Sequence, residues 1–416
     1  MAGELLEIGV MFAAVAAVGY VASRLGQSVI PFYILAGMGL GPFVAGEFTG
    51  AYLGRELAVG LSAGADYFIT LGAELGIVFL LFFLGLEFNL DRLVADRERI
   101  GRAGTVDLLV NFGIGFLLGY LLFGSLVPAF VLAGMVYISS SAIITKSLID
   151  LNWIANEESG PILGTLVYED LFVAVYLAVL LAVVGGGGDL ASAGTSVGIA
   201  LGFILLLLAL VYFGGGWFER LLSTDSNEFI ILRAVGVTVL IAGAALAVGV
   251  SEAVAAFFVG MGFSSTEYVH ELENLLEPVR DVFAAVFFFW IGLVTDPRLF
   301  ADVVGLVGVA VVVTTPTKLL SGFWAGRDYG LDDRRSTRVG LGMVTRGEFT
   351  LIIASTALAV TSPGVSGPLS AAMARQLNAF AVGYVLVMSI LGTMLMQYSA
   401  GIERRVLAWR GTTVSE

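Results

Sequence analysis

The 416-residue chain is 58% hydrophobic and 13% charged, with a mean hydropathy of +0.95 and a formal net charge of −13. A soluble domain carries roughly a quarter charged residues, so half that amount makes lipid the main solvent and leaves no room for a separate soluble domain. The absence of cysteine excludes disulfides, thiol chemistry and cysteine-ligated metals, and no nucleic-acid partner is expected.

Apolar runs of about 20 residues, the length that crosses a hydrocarbon core of about 30 Å, recur from end to end. The first begins in the acidic stretch MAGELLEIG, unlike a cleaved signal peptide, so it is expected to stay as span one. Thirteen spans are predicted, near 4–23, 28–45, 70–89, 105–124, 127–149, 159–184, 195–216, 227–248, 251–265, 277–295, 301–323, 336–360 and 378–400. Span five is interrupted by the polar residues Ser139, Ser140, Ser141 and Thr145, and span twelve by Thr345, Arg346, Gly347 and Glu348. Both interruptions predict broken helices, which are tolerated at membrane depth only where they line a cavity or pack inside protein.

Span six carries Glu169 and Asp170 midway along an apolar run. A carboxylate at that depth costs about 2.5–3.5 kcal/mol on the insertion scale, so it needs a partner or an aqueous cavity. Adjacent helical residues point about 100° apart, so one partner does not easily neutralise both acids. The glycine run Gly185–Gly188 reads as a flexible outer loop and lacks the ending of a phosphate-binding loop. No nucleotide-binding, HExxH or GxSxG motif occurs, so neither an ATP-driven pump nor an enzyme is expected. The single His270 makes no zinc site by itself. Lys318, one of only two lysines beside Lys146, lies deep in span eleven, where Glu169 or Asp170 is its natural partner. Arg346 and Glu348 are further charge partners, expected to pair locally within the break.

The basic residues orient these spans. With the N-terminus outside, the inside loops collect Arg92, Arg97, Arg99, Arg102, Lys146, Arg334, Arg335, Arg338 and the tail residues Arg404 and Arg405, among others, while the outside keeps only Arg55, Arg298 and Arg375. This positive-inside bias predicts a multi-pass protein of the plasma membrane with a cytoplasmic C-terminus. Span seven separates six spans from six, so the halves are inverted if they are repeats, and each break falls in the fifth span of its half. A buried carboxylate that holds either a proton or a cation is what a proton-coupled carrier needs. A monovalent cation/proton antiporter is therefore favoured, with a gated cation channel and a non-transporting sensor as rivals.

The segments FYILAGMGLGPF (32–43), LGAELGIVFLLFFLGLEFNL (71–90), ISSSAIITKSL (138–148), GTLVYEDLFVAVYLAVL (164–180), FFFWIGLVTDP (287–297) and RGEFTLIIA (346–354) resemble the second cation–proton antiporter family. The likeness is strongest to the membrane part of Kef-type potassium/proton antiporters and their sodium/proton relatives. It implies an all-α polytopic fold of about thirteen transmembrane helices, with two inverted six-helix repeats joined by a linker helix (195–216) and crossed broken helices in the core. It implies a homodimer built on scaffold helices 1–90 and 227–300, an ion-translocating core of 103–184 and 301–402, and a short cytoplasmic tail, 403–416. It also implies that Asp170 is alternately protonated and bound to Na+ or K+, with no cofactor. Glu169 shares that site, Ser139, Ser140, Ser141 and Thr145 lie beside it, and Lys318 is its basic partner. Two departures stand out. Glu169 replaces the Gln common in Kef-type members and the Asn or Asp of sodium-type ones, which leaves ion choice and stoichiometry open. No nucleotide-binding domain follows span thirteen, so a regulator is expected as a separate cytoplasmic subunit, and a regulated potassium-efflux subunit is the alternative assignment.

Overall fold

The computed structural model describes residues 2–45, 49–52, 55–58, 67–87, 90–153, 155–185, 190–224, 226–247, 252–359, 361 and 369–410. Most of Gly185–Gly188 and the end of the expected tail, 411–416, lie outside the described residues. The chain is almost wholly helical, as lipid demands, because a helix satisfies its backbone polar groups within one segment. In order come α1 (Ala2–Arg24), α2 (Val29–Leu40), α3 (Tyr67–Glu87), α4 (Leu90–Phe123), α5 (Leu126–Tyr137), α6 (Ser141–Asp150) and α7 (Ser159–Gly185). Then follow α8 (Leu190–Phe213), α9 (Gly215–Leu222), α10 (Asn227–Ala247), α11 (Glu252–Ser264), α12 (Val269–Leu293) and α13 (Phe300–Asp328). The last are α14 (Asp333–Gly342), α15 (Glu348–Ala359), α16 (Ala371–Gln397) and α17 (Ser399–Arg410). A small antiparallel hairpin, β1 (Thr49–Tyr52) and β2 (Arg55–Ala58), stands between α2 and α3, where no strand was expected.

Among the described residues, seven helices are long and apolar enough to cross a bilayer, or eight if α8 and α9, bent by 67°, count as one span. The other expected spans are short (α2, α11), broken (α5 with α6, α14 with α15) or, in α12, charged over the first half. Several helices overrun the predicted spans. Helix α4 starts at Leu90 rather than near 105, and α17 continues past span thirteen. Charged residues end an apolar run without ending a helix, since Arg, Lys and Glu are good helix formers.

Helices α2, α3, α11 and α12 pack backbone to backbone through glycine. A Cβ on Gly85 would sit 2.0 Å from the Phe257 carbonyl oxygen, and one on Gly260 2.0 Å from that of Phe82. Gly37 and Gly292 form the same reciprocal crossing between α2 and α12, each 1.9 Å from a carbonyl oxygen, of Phe289 and Ile34 respectively. Membrane helices associate this way because small residues let backbones approach where no hydrophobic force separates helix from lipid. Elsewhere α4 packs on α5, α7 and α13, while α13 packs on α14 and α16, and α15 on α16 and α5. The outward faces stay apolar: Leu121, Leu240 and Val312 are all more than two-thirds exposed.

Candidate ion-binding site

Helix α5 stops at Tyr137 and α6 resumes at Ser141, while α14 stops at Gly342 and α15 resumes at Glu348. The two breaks lie against each other. Ser140 N–H donates to the Thr345 carbonyl at 3.0 Å, and Thr350 Oγ1 to the Met135 carbonyl at 2.8 Å. Each break leaves carbonyls without helical partners on one side and N–H groups on the other. Arg346, fully buried, serves the carbonyls. Its Nε donates to Val136 at 3.0 Å, and its Nη1 to Met343 (3.0 Å), Val344 (2.8 Å) and Thr345 (3.2 Å). One guanidinium thus offsets the negative ends of two helices. Glu348, which opens α15, accepts from Ser140 Oγ at 2.5 Å.

Helix α7 sets Glu169 and Asp170 against this crossing, aimed at different partners as their angular separation requires. Glu169, 0% exposed, accepts from Ser139 N–H at 2.6 Å, Ser139 Oγ at 3.1 Å and Lys318 Nζ at 2.5 Å. Asp170, 5% exposed, accepts from Ser141 Oγ at 3.1 Å. The α6 side of the break therefore donates to both acids, and Ser140 points across it to Glu348. Thr145 follows one turn along α6, half-buried.

Lys318 does not reach out to the membrane surface: it is 0% exposed, and its Nζ lies 5.0 Å from the centre of the Tyr137 ring. It binds a second carboxylate, Asp107 of α4, at 2.5 Å. Asp107 is 1% exposed and also accepts from Ser321 Oγ at 2.6 Å and Asn111 Nδ2 at 2.9 Å. Sequence reasoning missed Asp107, which stands only two residues inside a span start predicted near 105. The apolar stretch of α4 begins at Arg97, which puts Asp107 well inside. A signal existed in the spacing: Asp107 and Asn111 lie four apart, on one face of the helix. Lys318 thus meets two acids, Asp107 and Glu169, and Asp170 lies next to Glu169 on α7, bonded to Ser141.

A second ionic cluster lies among α14, the start of α7 and α17. Arg338 binds Glu158 and Glu403, each at 2.7 Å, Arg334 binds Glu403 at 2.9 Å, and Arg335 bonds to Glu157. Burial by itself raises the Glu403 carboxyl, but hydrogen bonds from Arg338 and Arg334 outweigh it and hold the group below its ordinary value.

Residues 10–397 match the family model for the sodium/hydrogen exchanger, transmembrane. The K(+)/H(+) antiporter subunit KhtU of Bacillus subtilis is 36% identical over 97% of this chain and 96% of its own. The ammonium/H(+) antiporter subunit AmhT of Alkalihalophilus pseudofirmus is 26% identical over 99% of this chain and 97% of its own. The fold is similar to that of the sodium proton antiporter MjNhaP1 from Methanocaldococcus jannaschii, with a TM-score of 0.70 and 15% identity, over 97% of this chain and 99% of that one.

Proposed function

The chain belongs to the transmembrane sodium/hydrogen exchanger family of cation/proton antiporters, and on that basis we propose that Asp170 carries cation and proton alternately by alternating access. The observation that carries this reading is the placement of Asp170, buried in mid-helix beside two crossed helix breaks. Helix ends of that kind hold ions without full charges, and half-helices meeting near the midplane are where secondary carriers bind substrate. A carboxylate there holds one occupant at a time. Protons displace the cation when they are abundant, and that competition couples the two fluxes.

The helices flanking the breaks, 103–184 and 301–402, form the moving core. Helices 1–90 and 227–300 form the scaffold on which two copies dimerise, with 195–216 as the linker and 403–416 as the cytoplasmic tail. The glycine crossings support a rigid scaffold, since backbones in contact leave little slack. Glu169, bonded to Lys318 and Ser139, shapes the site beside Asp170. Potassium is the favoured cation, supported by the name of the Bacillus subtilis relative. That relative and the ammonium antiporter are both named as subunits, which supports a separate cytoplasmic regulator for this chain in the plasma membrane, N-terminus outside.

The test is transport by the purified protein in liposomes under imposed pH gradients, with potassium, sodium and lithium offered singly. Wild type should exchange potassium for protons saturably, and Asp170→Asn should not. Exchange at the wild-type rate by Asp170→Asn would end the proposal.

A further inference from the structure

The two acids on Lys318 are held differently. Glu169 reaches the ammonium from α7, next to the helix break. Asp107 reaches it from α4, with its other oxygen, Oδ1, fixed by Ser321 and Asn111. Ser321 lies three residues beyond Lys318, and its hydroxyl also meets Asn111 at 3.0 Å, so Asp107, Lys318, Ser321 and Asn111 form one bonded unit joining α4 to α13.

We propose that Asp107 is a positioning residue of the transport cycle: it keeps the Lys318 ammonium neutralised while Glu169 turns from Lys318 toward the incoming cation. This rests on the carrier role proposed for Asp170 and its neighbour. Lys318 is 0% exposed, so water is not at hand to replace a lost carboxylate. With Glu169 as its only acid, a cation that recruited Glu169 would strand a buried ammonium, and stranded buried charges are what makes breaking such pairs expensive. Asp107 removes that obstacle. It also leaves the site one negative charge richer, which helps to hold the incoming cation near the ammonium. Fixing Oδ1 keeps Oδ2 on Lys318 throughout, and this explains why an apolar helix carries Asp107 and Asn111 on one face.

The experiment is cation-dependent proton exchange by the full chain in liposomes, measured as KM and kcat for potassium and again for sodium. Asp107→Asn keeps the shape and removes the charge. It should raise the cation KM roughly tenfold, by more than it lowers kcat, the pattern of lost cation binding. Ser321→Ala, which loosens Asp107 without removing it, should shift KM the same way by about twofold to threefold. A merely structural Asp107 would lower the amount of folded protein or kcat and leave KM in place. Unchanged KM in both variants, with Asp170→Asn inactive, overturns the role of Asp107 alone; full exchange by Asp170→Asn overturns the carrier proposal instead. If Asp107→Asn does not fold, Ser321→Ala decides: a raised KM supports the role and an unchanged one overturns it.

Discussion

Removing the two ends of the Lys318–Glu169 pair should have unequal consequences. Lys318→Gln leaves Glu169 and Asp107 facing each other without the ammonium, and both are at most 1% exposed. Removing one partner of a buried pair costs about 3–5 kcal/mol, and here two acids lose theirs together. Glu169→Gln leaves Lys318 bonded to Asp107, so the loss is one charge-assisted hydrogen bond, about 1.5–3 kcal/mol. The new amide oxygen can still accept from Lys318 or Ser139, which pulls the loss to the low end. The expected gap is about 2 kcal/mol, and the double variant should be more stable than Lys318→Gln alone because it removes one uncovered acid. Thermal unfolding of the detergent-solubilised protein measures all three. Equal losses from the two single variants, or a double variant less stable than Lys318→Gln, would refute the shared-ammonium account.

Gly260→Ala would place its Cβ 2.0 Å from the Phe82 carbonyl oxygen. It should cost at least about 1–3 kcal/mol through overpacking, read as a lower melting temperature, whereas Gly236→Ala, with open space around it, should not lower it. Glu403 is held below its ordinary 4.5, so its contribution to stability is complete above that value and is lost as pH falls through the depressed folded one. Acidification through that window should free α17 from α14, seen as faster hydrogen exchange in 399–410, and Glu403→Gln should abolish the pH dependence. Loss of exchange in Asp170→Asn and the KM shift in Asp107→Asn complete the set.

The amino-acid sequence by itself determined the solvent, the broken spans and the acid pair. A scarcity of charge fixes lipid as the surroundings, and a Ser-Ser-Ser or Thr-Arg-Gly-Glu stretch inside an apolar run marks a break because neither belongs there otherwise. Glu169, Asp170 and Lys318 were legible for the same reason: each is costly where it stands. What only the tertiary structure decided was which charge meets which. Arg346 reaches the carbonyl ends of α5 and α14, because crossed helices bring together helix ends some 200 residues apart in the chain. Asp107 stayed hidden because a span edge read from hydropathy is blurred by helix-forming charged residues. Its depth became plain only when α13 brought Lys318 to it.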